Sequence, residues 1–332
     1  MTDFPAIAST LSATALGLLV KEQYNLREDF TCSLYRTGIN HTYFIKNKDT
    51  TYVLRVYCHN WRSKQEILEE IKLLELLKNS GLSVSYALPT KHNRYLQTIQ
   101  APEGKRYAVL FSFAEGGKIR YIDHDTSYAI GTLMASIHKT TIGKTVAREN
   151  YTTATLISKP YRFLKNYFFK DLPEMKFIRE QGYKVSNTFK NIASTNIPKG
   201  IVHLDIWYDN MSITNNSEIT LFDFDFCGNG YLVLDVAYFC TQLFHIETDK
   251  TEYELKIKKF LKGYQEQRTL TKEEIDLIPM AATAIWLFYL GVQAQRFDWS
   301  NIFLSENYLK MYLDKLKNWE RYCEANPAVF II

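Results

Sequence analysis

The hydrophobic pattern of this 332-residue chain changes once, at Glu115–Gly116–Gly117. Before that point, short runs rich in Thr, Tyr, Val and Ile alternate with turn residues, which is typical of strands. After it, long segments with helical spacing follow one another along the chain. The pattern therefore predicts two lobes, a small one over residues 1–113 and a larger, mainly helical one over residues 114–332.

One long helix and five strands are predicted for the small lobe. The helix covers residues 63–79, because apolar residues recur there at helical spacing and Gly81 follows. A shorter helix over residues 9–23 is predicted from its small and apolar residues and its Ser/Thr start. The strands are predicted over residues 31–35, 42–45, 51–57, 95–99 and 107–113.

Six helices and one compact β-like stretch are predicted for the large lobe. The β-like stretch is residues 201–235, and no internal repeat or low-complexity segment is visible. The helices are predicted over residues 121–139, 161–170, 174–193, 251–264, 272–297 and 305–325. The predicted fold class is therefore α+β.

The charge and cysteine content exclude several classes of protein. The net charge of +4 is too small for a nucleic-acid-binding surface, which needs a concentrated basic stripe. The five cysteines are scattered and form no CxxC pair, which favours free thiols in a reducing compartment. We therefore expect no nucleic-acid partner and no disulfide framework.

Two apolar segments raise the question of a membrane. Residues 277–292 contain Pro279 and fall short of the roughly 20 residues that a membrane span needs, so a buried core helix is expected. Residues 4–20 follow Asp3 and lack a basic start, so a signal peptide is not expected. The expectation is a cytoplasmic protein without a membrane partner.

The residues that carry chemistry lie in the β-like stretch. Two short apolar strands, residues 211–214 and 219–222, flank a turn and predict a hairpin. The hairpin brings together Asn210, just before one strand, and Asp223, just after the other. An amide oxygen and a carboxylate suit Mg²⁺, and Asp205 in the preceding loop can accept a proton from an attacking hydroxyl.

These residues form two motifs, His203-x-Asp205-x-x-x-x-Asn210 and a strand that ends in Asp223-Phe-Asp225. Together they resemble the phosphotransferase branch of the kinase fold, which includes aminoglycoside phosphotransferases, choline kinases, bacterial homoserine kinases and a bacterial stress-response Ser/Thr kinase. Residues 130–138 are similar to the helix "L-G-x-L-L-A-x-L-H" of that family, and Asp235-Val-Ala is similar to its D-L-A segment. The homoserine-kinase-like and stress-kinase-like members are the most similar.

The resemblance covers nearly the whole chain and implies a two-lobed protein-kinase-like fold. The small lobe would hold an antiparallel sheet and one long helix, and the large helical lobe would contain the catalytic hairpin. It implies ATP and Mg²⁺ as cofactors, with Asp205 as the catalytic-loop aspartate and Asn210 and Asp223 as metal ligands.

Three further residues of the same stretch receive supporting roles from the resemblance. Asp225 occupies a second acidic position, where it either assists the metal or holds loop backbone. His203 and Asp235 are expected to brace the catalytic loop without reacting.

The small lobe departs from the protein-kinase pattern. Gly38 stands alone where protein kinases have a glycine-rich loop, so phosphate binding by backbone N–H groups there is a weaker prediction. Arg55 occupies the strand position of the usual lysine and can bind phosphate oxygens through its fork of donors. Its partner is expected on the next helix, with Glu70 favoured and Glu66, one turn earlier, as the alternative.

The resemblance also assigns an adenine-binding segment to the linker. Backbone groups of Ser112, Phe113 and Ala114 are expected to face the base, with Val109 and Phe113 as apolar walls.

The resemblance implies an acceptor that is a hydroxyl-bearing small molecule, antibiotic-like compounds included, or a protein Ser/Thr. Residues 159–190 carry eight basic and three acidic side chains, a local charge of +5, which would repel a polycationic aminoglycoside. A second class of function stays open because the small lobe has only Gly38 at the place of the glycine-rich loop and Arg55 in place of lysine. In this alternative the protein is a nucleotide-binding, pseudokinase-type regulator with little turnover. The intact set of Asp205, Asn210 and Asp223 argues against it.

Overall fold

The computed structural model describes residues 4–192, 197–296 and 302–331, and its chain divides into two compact units. The first unit comprises residues 1–115 together with Thr220–Phe222, and the second comprises Gly116–Ile219 and Asp223–Ile332. The first is a mixed α/β unit and the second is mainly helical, as the sequence pattern predicts.

The first unit contains a five-stranded antiparallel sheet in the order β1-β2-β3-β5-β4. The strands are β1 (Thr31–Arg36), β2 (Asn40–Lys46), β3 (Thr51–Tyr57), β4 (Gln97–Ala101) and β5 (Gly104–Ser112). Alternate residues of β2 are buried, so one face of that strand packs into the core and the other does not. All five predicted strands are present; β3 has the predicted ends, and the other four have shifted ends.

Two helices complete this unit, α1 (Ala13–Tyr24) and α2 (Lys64–Asn79). Leu16 and Val20 of α1 pack in one apolar cluster with residues of β2, β3 and β5. The helix α2 begins at a capping box in which Ser63 and Glu66 satisfy each other's backbone N–H groups. The prediction for α2 is confirmed, whereas α1 begins four residues later than predicted because Ser12 is its N-cap.

The second unit is built mainly from helices. Its helices are α3 (His124–Thr141), α4 (Lys159–Leu164), α5 (Pro173–Ile192), α6 (Val233–Ile246), α7 (Lys250–Gln267), α8 (Lys272–Arg296) and α9 (Glu306–Ala325). The helices α3 and α7 pack closely because each has a glycine against the backbone of the other: a Cβ at Gly131 would lie 2.0 Å from the Phe260 carbonyl oxygen, and one at Gly263 would lie 2.2 Å from that of Tyr128.

Two short sheets interrupt the helices. β6 (Lys199–Val202) pairs with β9 (Gly228–Tyr231), and β7 (Met211–Ile213) forms the predicted hairpin with β8 (Ile219–Leu221). The Thr214 amide donates to the Glu218 carbonyl across the turn at 3.0 Å, and Ser217 takes a left-handed φ of 61°.

The structure corrects the sequence analysis in two places. No helix was predicted over residues 233–246, yet α6 lies there and eleven of its residues are buried. The predicted helix over residues 161–170 begins and ends earlier in the structure: a π-helical turn, Ala154–Ser158, leads into α4, which starts at Lys159 and ends at Leu164. Two predicted helix ends, Ala193 and Phe297, lie outside the described residues.

The helix α8 is the one described helix long and apolar enough to cross a membrane by length and composition. Two thirds (67%) of its most apolar window is buried inside the protein. That burial agrees with the core helix predicted from the sequence.

Candidate active site

The loop between β6 and β7 carries Asp205 and has an unusual backbone. Leu204, just before Asp205, takes a left-handed φ of 67°, which costs a non-glycine residue roughly 1–2 kcal/mol. The carboxylate of Asp235, in the first turn of α6, accepts from the His203 amide at 2.9 Å and from the Leu204 amide at 2.6 Å. This anchor fixes the loop backbone in the strained conformation.

A buried polar chain supports Asp235, whose side chain is 0% exposed. His138 of α3 places Nε2 at 3.0 Å from Asp235 Oδ2 and Nδ1 at 2.6 Å from the hydroxyl oxygen of Tyr264. Arg268 donates to the same hydroxyl at 2.8 Å and pairs with the buried Glu274. The loop that carries Asp205 is therefore tied to α3, α6 and α7.

His203 also contacts loop backbone. Its Nδ1 accepts from the Asp205 amide at 3.1 Å, and its ring packs on that of Phe224 with centroids 4.3 Å apart. His203 and Asp235 thus both lie where the sequence analysis expected bracing residues.

Both carboxylate oxygens of Asp205 have hydrogen-bond donors. The Asn210 amide donates to Oδ2 at 2.7 Å, and the Tyr238 hydroxyl donates to Oδ1 at 2.8 Å. Burial, followed by the charge of Asp223, raises the pKa of Asp205 to about 7, against the lowering effect of these hydrogen bonds. A carboxylate with a pKa near neutrality is suited to accept a proton from a hydroxyl.

Asn210 and Asp223 have the donor chemistry of a site for a hard divalent cation. The side-chain nitrogen of Asn210 donates to both the backbone carbonyl and the carboxylate of Asp205. The side-chain oxygen of Asn210 is therefore the atom that can face a cation. Asp223 ends its strand with a left-handed φ of 64°, and its charge acts on Asp205. One amide oxygen and one carboxylate leave several positions for phosphate oxygens and water, as Mg²⁺ requires.

Within the described ranges, no group of three or more His, Cys, Asp or Glu side chains could hold a metal ion. A cation held by Asn210 and Asp223 would keep coordination positions for water and phosphate oxygens. This donor set fits a metal bound together with a polyphosphate better than a permanently held ion.

The segment after Asp223 is held by side chains that the sequence analysis did not single out. Arg148 Nε donates to the Cys227 carbonyl at 2.9 Å, and Arg148 also donates to the Asp225 carbonyl. The Tyr151 hydroxyl donates to the Phe226 carbonyl. Asp225 itself is buried, and its two proposed roles, metal assistance and loop support, stay open.

In the first unit, Arg55 of β3 pairs with Glu70 of α2. Arg55 Nη1 lies 3.0 Å from Glu70 Oε1, and Glu70 is 1% exposed and also accepts from Tyr57 at 3.3 Å. Glu66 instead takes part in the capping box of α2. The pairing therefore selects Glu70 over Glu66, while the role of Arg55 in nucleotide binding stays a prediction.

The other predicted nucleotide contacts lie at two places in the first unit. Gly38 lies between β1 and β2, and a Cβ there would meet only the Asn40 carbonyl oxygen at 3.7 Å. Ser112 ends β5, where its amide donates to Tyr86 and its carbonyl accepts from Ser85.

The backbone amide and carbonyl of Ser112 are therefore both hydrogen-bonded within the first unit. Of the predicted adenine-facing segment, the backbone groups of Phe113 and Ala114 are then the better candidates. The Phe113 ring packs edge-on against Phe44, with centroids 5.9 Å apart.

The loop–hairpin arrangement of Asp205, Asn210 and Asp223 and, in the first unit, the Arg55–Glu70 pair are the features that the sequence analysis expects of a kinase-like phosphotransferase. The chain belongs to the phosphotransferase enzyme family APH, whose model matches residues 34–270.

Several relatives and solved structures are similar to this chain. A homoserine kinase of Bartonella tribocorum is 29% identical over 59% of this chain and 60% of its own length. An uncharacterized protein of Synechocystis is 28% identical over 95% of this chain and 87% of its own length.

Two solved structures share the fold. A microcompartment-associated aminopropanol kinase has a TM-score of 0.77 at 18% identity, covering 94% of this chain and 98% of its own. An amicoumacin kinase solved with AMP-PNP and Ca²⁺ also has a TM-score of 0.77, at 19% identity, covering 94% of each chain. They confirm the predicted two-lobed, kinase-like fold class.

Proposed function

We propose that this protein is an ATP- and Mg²⁺-dependent kinase that transfers the γ-phosphoryl group to a hydroxyl of a small molecule. The observation that carries the proposal is the position of Asp205, hydrogen-bonded to Asn210 and electrostatically coupled to Asp223. A proton acceptor beside an amide–carboxylate pair is the arrangement that phosphoryl transfer needs, because that reaction depends mainly on positioning and charge neutralisation.

Each residue then has a defined task. Asp205 orients the acceptor hydroxyl and takes its proton as the phosphoryl group is transferred. Asn210 and Asp223 would hold Mg²⁺, which when bound neutralises phosphate charge. Arg55, kept in place by Glu70, binds phosphate oxygens of the nucleotide.

The acceptor is proposed to be a small neutral or anionic metabolite. The proteins named above as homoserine, aminopropanol and amicoumacin kinases act on small molecules, which favours a small-molecule acceptor over a protein Ser/Thr. Two of the basic side chains of residues 159–190 have acidic partners, Lys159 with Glu149 at 3.2 Å and Lys184 with Glu320 at 3.7 Å. We infer that the remaining positive charge disfavours an aminoglycoside, on the expectation that residues 159–190 contact the acceptor.

A transfer screen tests the proposal. The purified chain is incubated with γ-labelled ATP, Mg²⁺ and a panel of hydroxyl compounds that includes homoserine, aminopropanol, choline, neutral polyols and an aminoglycoside. Labelled product from a small neutral or anionic acceptor, lost on chelation with EDTA, is the expected result. Nucleotide binding without transfer to any acceptor would point to the pseudokinase-type regulator, and strong transfer to the aminoglycoside would overturn the charge argument.

A further inference from the structure

An aromatic pair lies against the candidate base. Tyr238 of α6 is 4% exposed and stacks on Tyr289 of α8, with ring centroids 5.4 Å apart and an interplanar angle of 26°. The Tyr238 hydroxyl donates to Asp205 Oδ1, and the Tyr289 hydroxyl donates to the Leu204 carbonyl at 3.1 Å. The pair therefore holds both the side chain of Asp205 and the backbone just before it.

The two donors to Asp205 come from different parts of the fold. Asn210 belongs to the same loop, so its hydrogen bond moves with the loop. Tyr238 belongs to a helix, and its ring is fixed by stacking and burial. Tyr238 therefore ties the carboxylate to the helical framework, together with the neighbouring hydroxyl of Tyr289.

The geometry leaves room for the reaction. A carboxylate has about four lone-pair positions, and the hydrogen bonds from Tyr238 and Asn210 use one on each oxygen of Asp205. A lone pair remains on each oxygen for the acceptor hydroxyl. Without the Tyr238 hydroxyl, the carboxylate loses one of the donors that fix its orientation, and a displacement of about 1 Å can cost on the order of 100-fold in rate.

We propose that Tyr238, supported by Tyr289, is a positioning residue that fixes the carboxylate of Asp205 toward the acceptor hydroxyl. This inference rests on the proposed function, because it requires Asp205 to be the proton acceptor. It makes Tyr238 a determinant of kcat and not of nucleotide affinity.

The test compares Tyr238→Phe with Tyr312→Phe. Both changes remove one hydroxyl from a buried tyrosine: Tyr312 is 9% exposed and donates to the Trp286 carbonyl at 2.9 Å. With an acceptor found by the screen, Tyr238→Phe should lower kcat roughly 10- to 100-fold, the cost of one hydrogen bond to a charged group, with the KM for ATP within twofold. Tyr312→Phe should keep kcat within twofold of the wild type.

A second variant keeps the test valid if Tyr238→Phe does not fold. Tyr289→Phe keeps the stack and removes the bond to Leu204, so it should lower kcat several-fold at an unchanged KM for ATP. Equal kcat values for Tyr238→Phe, Tyr312→Phe and the wild type would overturn the inference. If Tyr238→Phe cannot be measured, a wild-type kcat in Tyr289→Phe would overturn it.

The proposed function fails by a different result. If the wild type transferred phosphate to no acceptor, or if Asp205→Asn kept full activity, the role of Asp205 as the proton acceptor would be refuted. If the wild type were active, Asp205→Asn inactive and Tyr238→Phe fully active, only the positioning role of Tyr238 would be refuted.

Discussion

Replacing Asp235 by Asn should damage both stability and turnover. The carboxylate accepts from two backbone amides of the loop and from His138, whereas an asparagine offers one acceptor oxygen and an NH₂ group that faces those donors. At least one buried N–H then loses its partner at about 1–3 kcal/mol, and the remaining bonds lose their charge assistance. We expect a loss of about 3 kcal/mol, within the range seen when buried charged networks are broken.

The loop should also relax. Leu204 holds its left-handed φ of 67° against a local preference, and Asp235 supplies the anchor. Once the anchor is weakened, Asp205 moves with the backbone, and a shift of about 1 Å should lower kcat on the order of 100-fold. The assays are urea denaturation followed by circular dichroism and steady-state kinetics.

The matched control is Asp276→Asn, the same chemical change at an exposed ion pair. Asp276 pairs with Lys272 and its side chain is 58% exposed, so its loss should cost less than about 0.5 kcal/mol. If Asp235→Asn matched this control in stability and in kcat, the anchoring role would be refuted.

Three other predictions follow from the described contacts. Glu70→Gln removes the buried charge partner of the Arg55 guanidinium, so it should lower the free energy of unfolding by about 3 kcal/mol and raise the KM for ATP. Glu66→Gln should lower the free energy of unfolding by about 1 kcal/mol and leave that KM unchanged. Denaturation and steady-state kinetics on both variants test this difference. The new methyl group of Gly38→Ala meets no close contact, so this variant should fold normally. We expect its KM for ATP to rise several-fold if the Gly38 backbone binds nucleotide phosphates. An unchanged KM would show that Gly38 does not contribute to nucleotide binding. Burial lowers the pKa of His245 from 6.5 to about 3. Below pH 6.5 the unfolded chain therefore binds a proton at His245 that the folded chain does not bind, so the free energy of unfolding falls as the pH drops. Between pH 7.5 and 5 the wild type should lose about 2 kcal/mol more than His245→Gln, and equal losses in urea titrations would contradict this.

Much of the fold could be predicted because local patterns agree with the tertiary structure. The helix α2 has an apolar face at helical spacing and a capping box, so its sequence specifies both its face and its start. The helix α6 was missed because apolar residues occupy all its sides, which removes the periodic signal of a half-exposed helix. Its Asp235 was nevertheless identified, through the resemblance of Asp235-Val-Ala to a family segment.

The candidate site was predictable where its residues are close in sequence. Asp205 and Asn210 share one loop, and hairpin pairing brings Asp223 near, so spacing alone places all three. Tyr238 and Tyr289 come from two distant helices, and their approach to Asp205 depends on how α6 and α8 pack.

Some supporting contacts leave no signal in a single sequence. Arg148 acts through backbone carbonyls, which any residue at positions 225 and 227 would offer. Tyr289 lies in the segment expected to be a buried core helix, and its hydroxyl contact with Leu204 depends on a left-handed backbone that the sequence does not reveal.

The most direct test of the account is the activity of Asp205→Asn. The substitution keeps the size of the side chain and removes the proton acceptor, so ATP should still bind in a calorimetric titration while kcat falls by several orders of magnitude. Turnover at the wild-type rate in a variant that binds ATP normally would contradict the assignment of Asp205 as the base.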